Sequence, residues 1–305
     1  MARVGTEILA ADYNSIRTKV VSILGTGVGD RGYGQSILST PLEIGNEITA
    51  AQWNALRIDL INIRLHQEGA IPAIASASQG STIEFKANRP NPGFNDIIDL
   101  ATTTRFNIAS TRFVISPVGS KTYTQIWKEK ATATLTVVFD NSNDARYFFN
   151  SGGKIKFSST FEKLTNTQQN IAWENLLNNA GIFEFGAGIP NQPSFYSLTN
   201  TDQIILQKFP EGPYDVGNSS YRIEARCNVA NNSTGTANEI TFTISWIDDY
   251  VDPDGPVNLF GPPDEINGTL TLIVDEFKAF GDMLPEGTTF SITSPTYSLS
   301  EITAD

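Results

Sequence analysis

The chain has little of what most reaction centres require. Its 305 residues include one histidine (His66), one cysteine (Cys227) and two methionines. These are too few nitrogen and sulfur ligands for a zinc site, and no Gly-x-Ser-x-Gly sequence accompanies the histidine to suggest a hydrolase. We therefore expect a protein that is not an enzyme, and we predict no catalytic, cofactor-binding or metal-binding residues.

The remaining reactive groups have simpler interpretations. His66 falls at the end of a predicted helix, where it favours a capping or surface role. Cys227 lies in an alternating segment and is predicted to be a buried core thiol, since free cysteine is among the most buried residue types. Gly153 and Lys154 fail as a phosphate loop, because Ile155 replaces the required Ser or Thr.

Positive charge and long apolar runs are also scarce. Lys and Arg total 21 against 33 Asp and Glu, giving a formal net charge of -12. Such a surface repels phosphate backbones, so nucleic-acid binding is disfavoured. No apolar run approaches the roughly 18 residues that a membrane helix needs, and the N-terminus lacks the pattern of a signal peptide. We expect neither membrane insertion nor export by that route.

A repeat with an offset of 40 residues occupies the N-terminal part of the chain. Residues 7–17 and 47–57 place an aromatic residue, Asn, an aliphatic residue and Arg in register: Tyr13, Asn14, Ile16 and Arg17, then Trp53, Asn54, Leu56 and Arg57. Apolar residues recur at spacings of three and four, which predicts two amphipathic helices. Thr49 and Gln52 form a predicted capping box, whereas Leu9 offers no cap to the first helix.

The repeat leaves two arrangements open. The apolar stripes pack against each other, which we favour, or each faces another subunit. Residues 25–34 contain five glycines between the two helices. This segment follows a helix and lacks Gly-Lys-Ser/Thr, so we interpret it as a structural linker and not as a phosphate loop.

From about residue 71 the period changes to two, which predicts short strands separated by turns. Helices are predicted over 143–150 and over 168–180, the second ending at Gly181. The predicted strands cover 82–86, 112–116, 121–128, 132–139, 154–158, 181–185, 203–207, 221–229, 239–246, 269–274 and 288–293. Residues 280–305 are predicted to supply a last strand, with an extended arm as the alternative.

The sequence therefore predicts an α+β, mainly β fold. Residues 1–70 form an N-terminal helical pair, and residues 71–305 form an antiparallel β-sandwich or jelly-roll-like domain with short helical insertions.

Two features suggest ligands without establishing them. Four carboxylates, Asp248, Asp249, Asp252 and Asp254, gather where a calcium ion would find oxygen ligands. The EF-hand alternation is missing, and Pro253 and Gly255 favour an ordinary turn. Trp127, Phe242 and Trp246 offer aromatic surface for sugar stacking, but their alternating strands favour core packing.

Several segments together resemble virion structural proteins of tailed bacteriophages, particularly phages of cyanobacteria. They are ARYFFNSGGKI at 145–155, WENLL at 173–177 and RCNVANNSTGTA at 226–237. DRGYGQ at 30–35 and AQWNALR at 51–57 extend the resemblance upstream.

The resemblance implies a particle component without a transferable active site, assembled in the host cytoplasm and located in the virion. Its expected partners are other virion structural proteins and copies of itself in a symmetric assembly, with residues 1–70 as a docking region. A tail, neck or baseplate adaptor is favoured. The alternatives are a receptor- or glycan-binding fibre module, which would bind host surface glycans, a capsid decoration protein and, last, a depolymerising enzyme.

Overall fold

The computed structural model of the chain describes residues 9–85, 92–211, 219–249 and 265–305. Within them the fold is α+β and mainly β, as predicted, with helices at the N-terminal end. The α-helices are α1 (Ala10–Ile23), α2 (Ala50–Glu68), α3 (Phe94–Thr103), α4 (Ser142–Asn150) and α5 (Gln168–Ala180). The strands are β1 (Phe113–Tyr123), β2 (Lys130–Val138), β3 (Lys154–Lys163), β4 (Ile182–Phe185), β5 (Gln203–Lys208), β6 (Ser220–Cys227), β7 (Glu239–Ile247), β8 (Gly268–Met283), β9 (Thr288–Ser291), β10 (Thr296–Leu299) and β11 (Thr303–Ala304).

The chain divides into two compact units, and neither is a continuous segment. Unit 1 comprises Met1–Val114, Asn143–Gly153 and Lys278–Ser294, and unit 2 comprises the rest. This division differs from the boundary predicted near residue 70. Through their contacts, α3, most of α4 and β9 belong to the same unit as α1 and α2. A boundary placed where the sequence periodicity changes cannot predict this grouping.

Two sheets contain the strands. The first has the order β1-β8-β3-β4, with β9 paired to β8, and the second has the order β10-β2-β7-β6-β5, with β11 paired to β2. The recorded strand pairs are antiparallel.

The core of unit 2 lies between side chains of β3, β4 and β7. The ring centroid of Phe242 is 5.1 Å from that of Phe157 and 5.1 Å from that of Phe185. On β2, buried residues alternate with half-buried threonines and other outward residues. This period-2 burial on one face of each sheet is the arrangement that a β-sandwich requires.

Three helices pack together in unit 1. The rings of Tyr13 on α1 and Trp53 on α2 meet edge to face, 5.2 Å apart, and the ring of Phe94 on α3 lies 5.1 Å from that of Trp53. The predicted mutual packing of the two repeat helices is therefore confirmed, as are the Thr49–Gln52 capping box and the end of α5 at Gly181.

Several predicted boundaries were wrong. Of the predicted strand 82–86, Lys86 lies outside the described residues. Residues 82–85 form no strand, because the carbonyls of Glu84 and Phe85 accept hydrogen bonds from the first amides of α3 (3.0 and 2.9 Å). Two of the predicted strands, 112–116 and 121–128, fall largely on one strand, β1, which begins at Phe113 and ends at Tyr123. Beyond it, Trp127 makes an isolated bridge with Ile266. The predicted last strand within 280–305 is present as β9, β10 and β11.

Helix α3 was not predicted. The threonines at its end, Thr102, Thr103 and the C-cap Thr104, resemble strand composition, and Pro92 and Gly93 precede it as turn residues do. The missed signal was the Asp96 carboxylate, which accepts a hydrogen bond from the Gly93 amide (3.1 Å) as the third residue of a helix often does.

Candidate functional site

The repeated Asn and Arg side chains hold main chain in place. On α1, the Asn14 amide donates to the Leu42 carbonyl (2.7 Å) and accepts from the Leu42 N–H (3.0 Å). One turn further along, the Arg17 Nε donates to the Ser39 carbonyl (2.9 Å). These bonds fix residues 37–44, a segment without helix or strand, which we call the first strap.

Helix α2 repeats this arrangement on a second strap, residues 72–78. The Asn54 amide donates to the Ala77 carbonyl (3.0 Å) and accepts from the Ala77 N–H (2.8 Å). The Arg57 Nε donates to the Ile74 carbonyl (2.6 Å). Because both partners are again three residues apart, the sequence repeat corresponds to a repeated structural element made of a helix and a returning strap.

The first strap is also held from the other helix. The buried Asp59 carboxylate on α2 accepts hydrogen bonds from the amides of Leu38 and Ser39, both at 2.9 Å. Burial raises the pKa of Asp59, although the hydrogen bonds act in the opposite direction. The corresponding residue of the first copy, Lys19, instead pairs with Asp99 (2.6 Å). Asp59 therefore holds the first strap from α2, whereas its counterpart on α1 contacts α3, and the sequence pattern gave no sign of this difference.

The glycine-rich segment is fixed by α4. The Arg146 guanidinium donates to the carbonyls of Thr26, Gly29 and Arg31 (3.2, 3.0 and 2.9 Å). The Asn150 amide donates to the carbonyls of Gly29 and Gly32, both at 3.2 Å. These contacts define a cluster that we call the arginine knot, and the segment has the structural role predicted for it.

One glycine of this segment is required by close approach. Gly34 has φ +70°, and a Cβ placed on it would lie 2.4 Å from a ring atom of Tyr147. Residues 30–35 and 145–153, which carry part of the phage resemblance, are thus packed against each other within unit 1.

His66 is buried, so its predicted surface role was wrong. The ring stacks on Phe290 at 4.1 Å and meets the edge of Tyr33 at 4.9 Å. Its Nε2 lies 2.9 Å from the Ser151 carbonyl, which makes Nε2 the protonated nitrogen. The buried Nδ1 has no hydrogen-bond partner among the described residues. Burial lowers the pKa of His66 to about 3, and the nearby Arg112 acts in the same direction. The imidazole is therefore a neutral core group at physiological pH.

Lys154 is occupied by an ion pair within unit 2. Lys154 and Lys156 both pair with Glu184 across β3 and β4 (2.5 and 2.8 Å). Burial acts to raise the pKa of Glu184, but the two lysines outweigh it and hold that pKa below its ordinary value. The contacts agree with the rejection of a phosphate loop at Gly153 and Lys154.

Asp248 anchors the end of β7 against α5. Its carboxylate accepts hydrogen bonds from the Ser219 Oγ (2.7 Å), the Trp173 Nε1 (3.4 Å) and the Gln169 amide. Asp249 uses its main-chain N–H to bond the Ser219 Oγ (3.1 Å). Asp252 and Asp254 lie outside the described residues. Among the residues that are described, no group of His, Cys, Asp and Glu side chains is placed to hold a metal ion.

The four tryptophans and the cysteine lie in the interior. Trp53, Trp127, Trp173 and Trp246 are each at most 4% exposed, so none offers a ring to a sugar. Cys227 is buried as predicted, and its thiol donates to the Val229 carbonyl (3.3 Å). Burial raises the pKa of that thiol, which leaves it protonated and unreactive at neutral pH.

Comparison with known proteins adds no assignment, because no protein-family model, curated protein or solved structure matches the chain. Within the described part of the chain, none of the helices has the length and apolar character needed to cross a bilayer. A functional proposal therefore has to be based on the contacts within the described residues.

Proposed function

We propose that the chain is a structural component of a tailed-phage virion, acting as an adaptor or assembly protein of the tail, neck or baseplate. The observation that supports this most is the arginine knot. In it Arg146, from one segment that resembles virion proteins, donates to the carbonyl of Arg31, which lies 115 residues away in a second such segment. Next to this bond, Gly34 of the second segment packs against the ring of Tyr147 in the first. The residues that carry the resemblance are therefore residues that stabilise the fold.

The state of the polar groups is consistent with this proposal. His66, Lys154, Asp248 and Cys227 each make contacts that stabilise the packed chain. Catalytic groups, in contrast, usually lie in a cleft with their reactive atoms accessible to substrate. A protein that supplies rigid surfaces to neighbouring subunits needs such stabilising contacts and no cleft.

The test is the composition of purified particles. Phage particles purified from infected cells should contain this chain in a fixed ratio to the major tail protein, and antibody labelling should place it on the tail side of the particle. Labelling of the capsid shell would favour a decoration protein instead. Abundance in infected cells combined with absence from intact particles would contradict the proposal.

A glycan-binding fibre module is the second candidate, and only exposed aromatic residues favour it. Phe209 and Phe280 are each about half exposed. A glycan array with the purified chain, alongside Phe209→Ala and Phe280→Ala variants, tests this function directly. Selective binding that either variant removes would favour the adhesin over the adaptor.

A further inference from the structure

The C-terminal arm, residues 295–305, contains β10 and β11, which both pair with β2 at the edge of the second sheet. It follows Ser294, which belongs to unit 1, yet the arm itself belongs to unit 2. The chain therefore completes β9 in one unit and then supplies edge strands to the other. An element that leaves one compact unit to pair in another is of the kind that copies of a protein exchange.

Main-chain bonds hold the arm along the whole of β2. β10 pairs in register from Thr296 opposite Val138 to Leu299 opposite Leu135, and β11 pairs Thr303 with Thr132. Between them, the Ser300 N–H donates to the Thr134 carbonyl (2.9 Å). Because these bonds join main-chain groups, the arm of a second copy would make the same bonds.

Side chains of the arm add further contacts within unit 2. The Ser300 hydroxyl accepts from the Thr134 N–H (2.9 Å), and the Asp305 carboxylate accepts from the Lys130 N–H (2.7 Å). Ile302 is buried, the Tyr297 hydroxyl donates to the Glu276 carboxylate (2.7 Å), and Glu301 pairs with Lys121. A second copy carries the same side chains, so exchange would lose none of these contacts. Without an arm, β2 would present an open edge of nine residues, which favours pairing with another chain.

We propose that the C-terminal arm exchanges between copies of this chain and links them into an assembly. In dilute solution the arm occupies its own β2, because the tether gives it an effective concentration on the order of millimolar. Copies held side by side lose that advantage, since a neighbour's arm is then equally close. The inference concerns the chain alone and stands whether or not the chain is a phage component.

The experiment uses two full-length variants in a Cys227→Ser background, Thr132→Cys and Thr303→Cys. Each carries one cysteine of a cross-strand pair whose hydroxyls are 3.4 Å apart, so a disulfide between them forms only between chains. Thr243→Cys on the neighbouring strand β7 replaces Thr132→Cys in the matched control. The mixtures are equilibrated in glutathione buffer over a range of protein concentrations.

Exchange predicts several-fold more mixed disulfide from Thr132→Cys with Thr303→Cys than from the control pair, with a yield that increases with concentration. Equal yields from the two pairs would overturn the proposal. A single chain carrying both substitutions shows that the pair can bridge. If it does not, a short bismaleimide crosslinker replaces the disulfide in all mixtures, and the same comparison of yields decides.

Discussion

In unit 1 the main chain is held largely by side chains, whereas in unit 2 it is held by other main chain. The straps and the glycine-rich segment of unit 1 depend on Asn14, Asn54, Asp59 and Arg146. Unit 2 spreads its hydrogen bonds over two antiparallel ladders around an aromatic core. Single polar substitutions should therefore damage unit 1 far more than the outer faces of unit 2.

The largest expected effect is that of Arg146→Met in the arginine knot. It removes the donor to three carbonyls and leaves them in a mostly buried site, so we expect a loss of about 3–5 kcal/mol in the free energy of unfolding. Urea denaturation measures the loss, and hydrogen exchange should show faster exchange in residues 25–34.

The matched control is Arg226→Met in unit 2, where the side chain is half exposed and pairs with Asp202 at 3.4 Å. A change below about 0.5 kcal/mol is expected, because exposed ion pairs contribute little. If the two substitutions cost the same, the proposed contrast between the units is wrong.

The repeated asparagines should have the next largest effect. Asn14→Ala and Asn54→Ala each remove a pair of hydrogen bonds to partly buried main chain, which we expect to cost about 2 kcal/mol each. Asn178→Ala, at an exposed position of α5, is the control, with little change or a slight gain expected. Unequal losses of unfolding free energy for the Asn14 and Asn54 variants would show that the two repeat copies do not stabilise the fold equally.

Acid should weaken unit 1 through His66. Its pKa of about 3 in the folded protein lies below the ordinary 6.5, so the unfolded chain binds the proton first as the pH falls. The contribution of neutral His66 to the free energy of unfolding is fully present above about pH 6.5. Below that pH it declines, by about 2 kcal/mol at pH 5. The raised pKa of Asp59 acts with the opposite sign, because the folded state then binds that proton more readily.

Urea midpoints at pH 7 and pH 5 measure this decline, and His66→Gln should remove most of it. Asp59 is unchanged in that variant, so the difference between the two chains isolates the histidine. An unchanged pH dependence in His66→Gln would refute the assignment.

The smallest effects concern the two helix starts. Thr49→Ala removes the hydroxyl that accepts from the Gln52 N–H and should cost about 1 kcal/mol. Leu9→Ser gives α1 the side-chain cap it lacks and should add about 0.5–1 kcal/mol. Thermal unfolding of both variants measures the two shifts, and a loss from Leu9→Ser would contradict the explanation.

The sequence by itself determined the local elements. The spacing of Tyr13, Ile16 and Val20, the capping pair Thr49 and Gln52, and the stop at Gly181 act over a few residues, so they are legible without a fold. Alternation likewise revealed the main strands and the burial of Cys227.

Only the tertiary structure decided what the polar residues do. Arg146 lies 117 residues from Gly29, and His66 lies 85 residues from Ser151, so no local pattern links either pair. The sequence repeat predicted that Asn14 and Asn54 are equivalent, but only the folded chain showed the straps that they bind. A buried polar group bonds whichever partner the fold brings close to it. Sequence periodicity indicates which residues are buried, but it does not indicate which residues will be their neighbours.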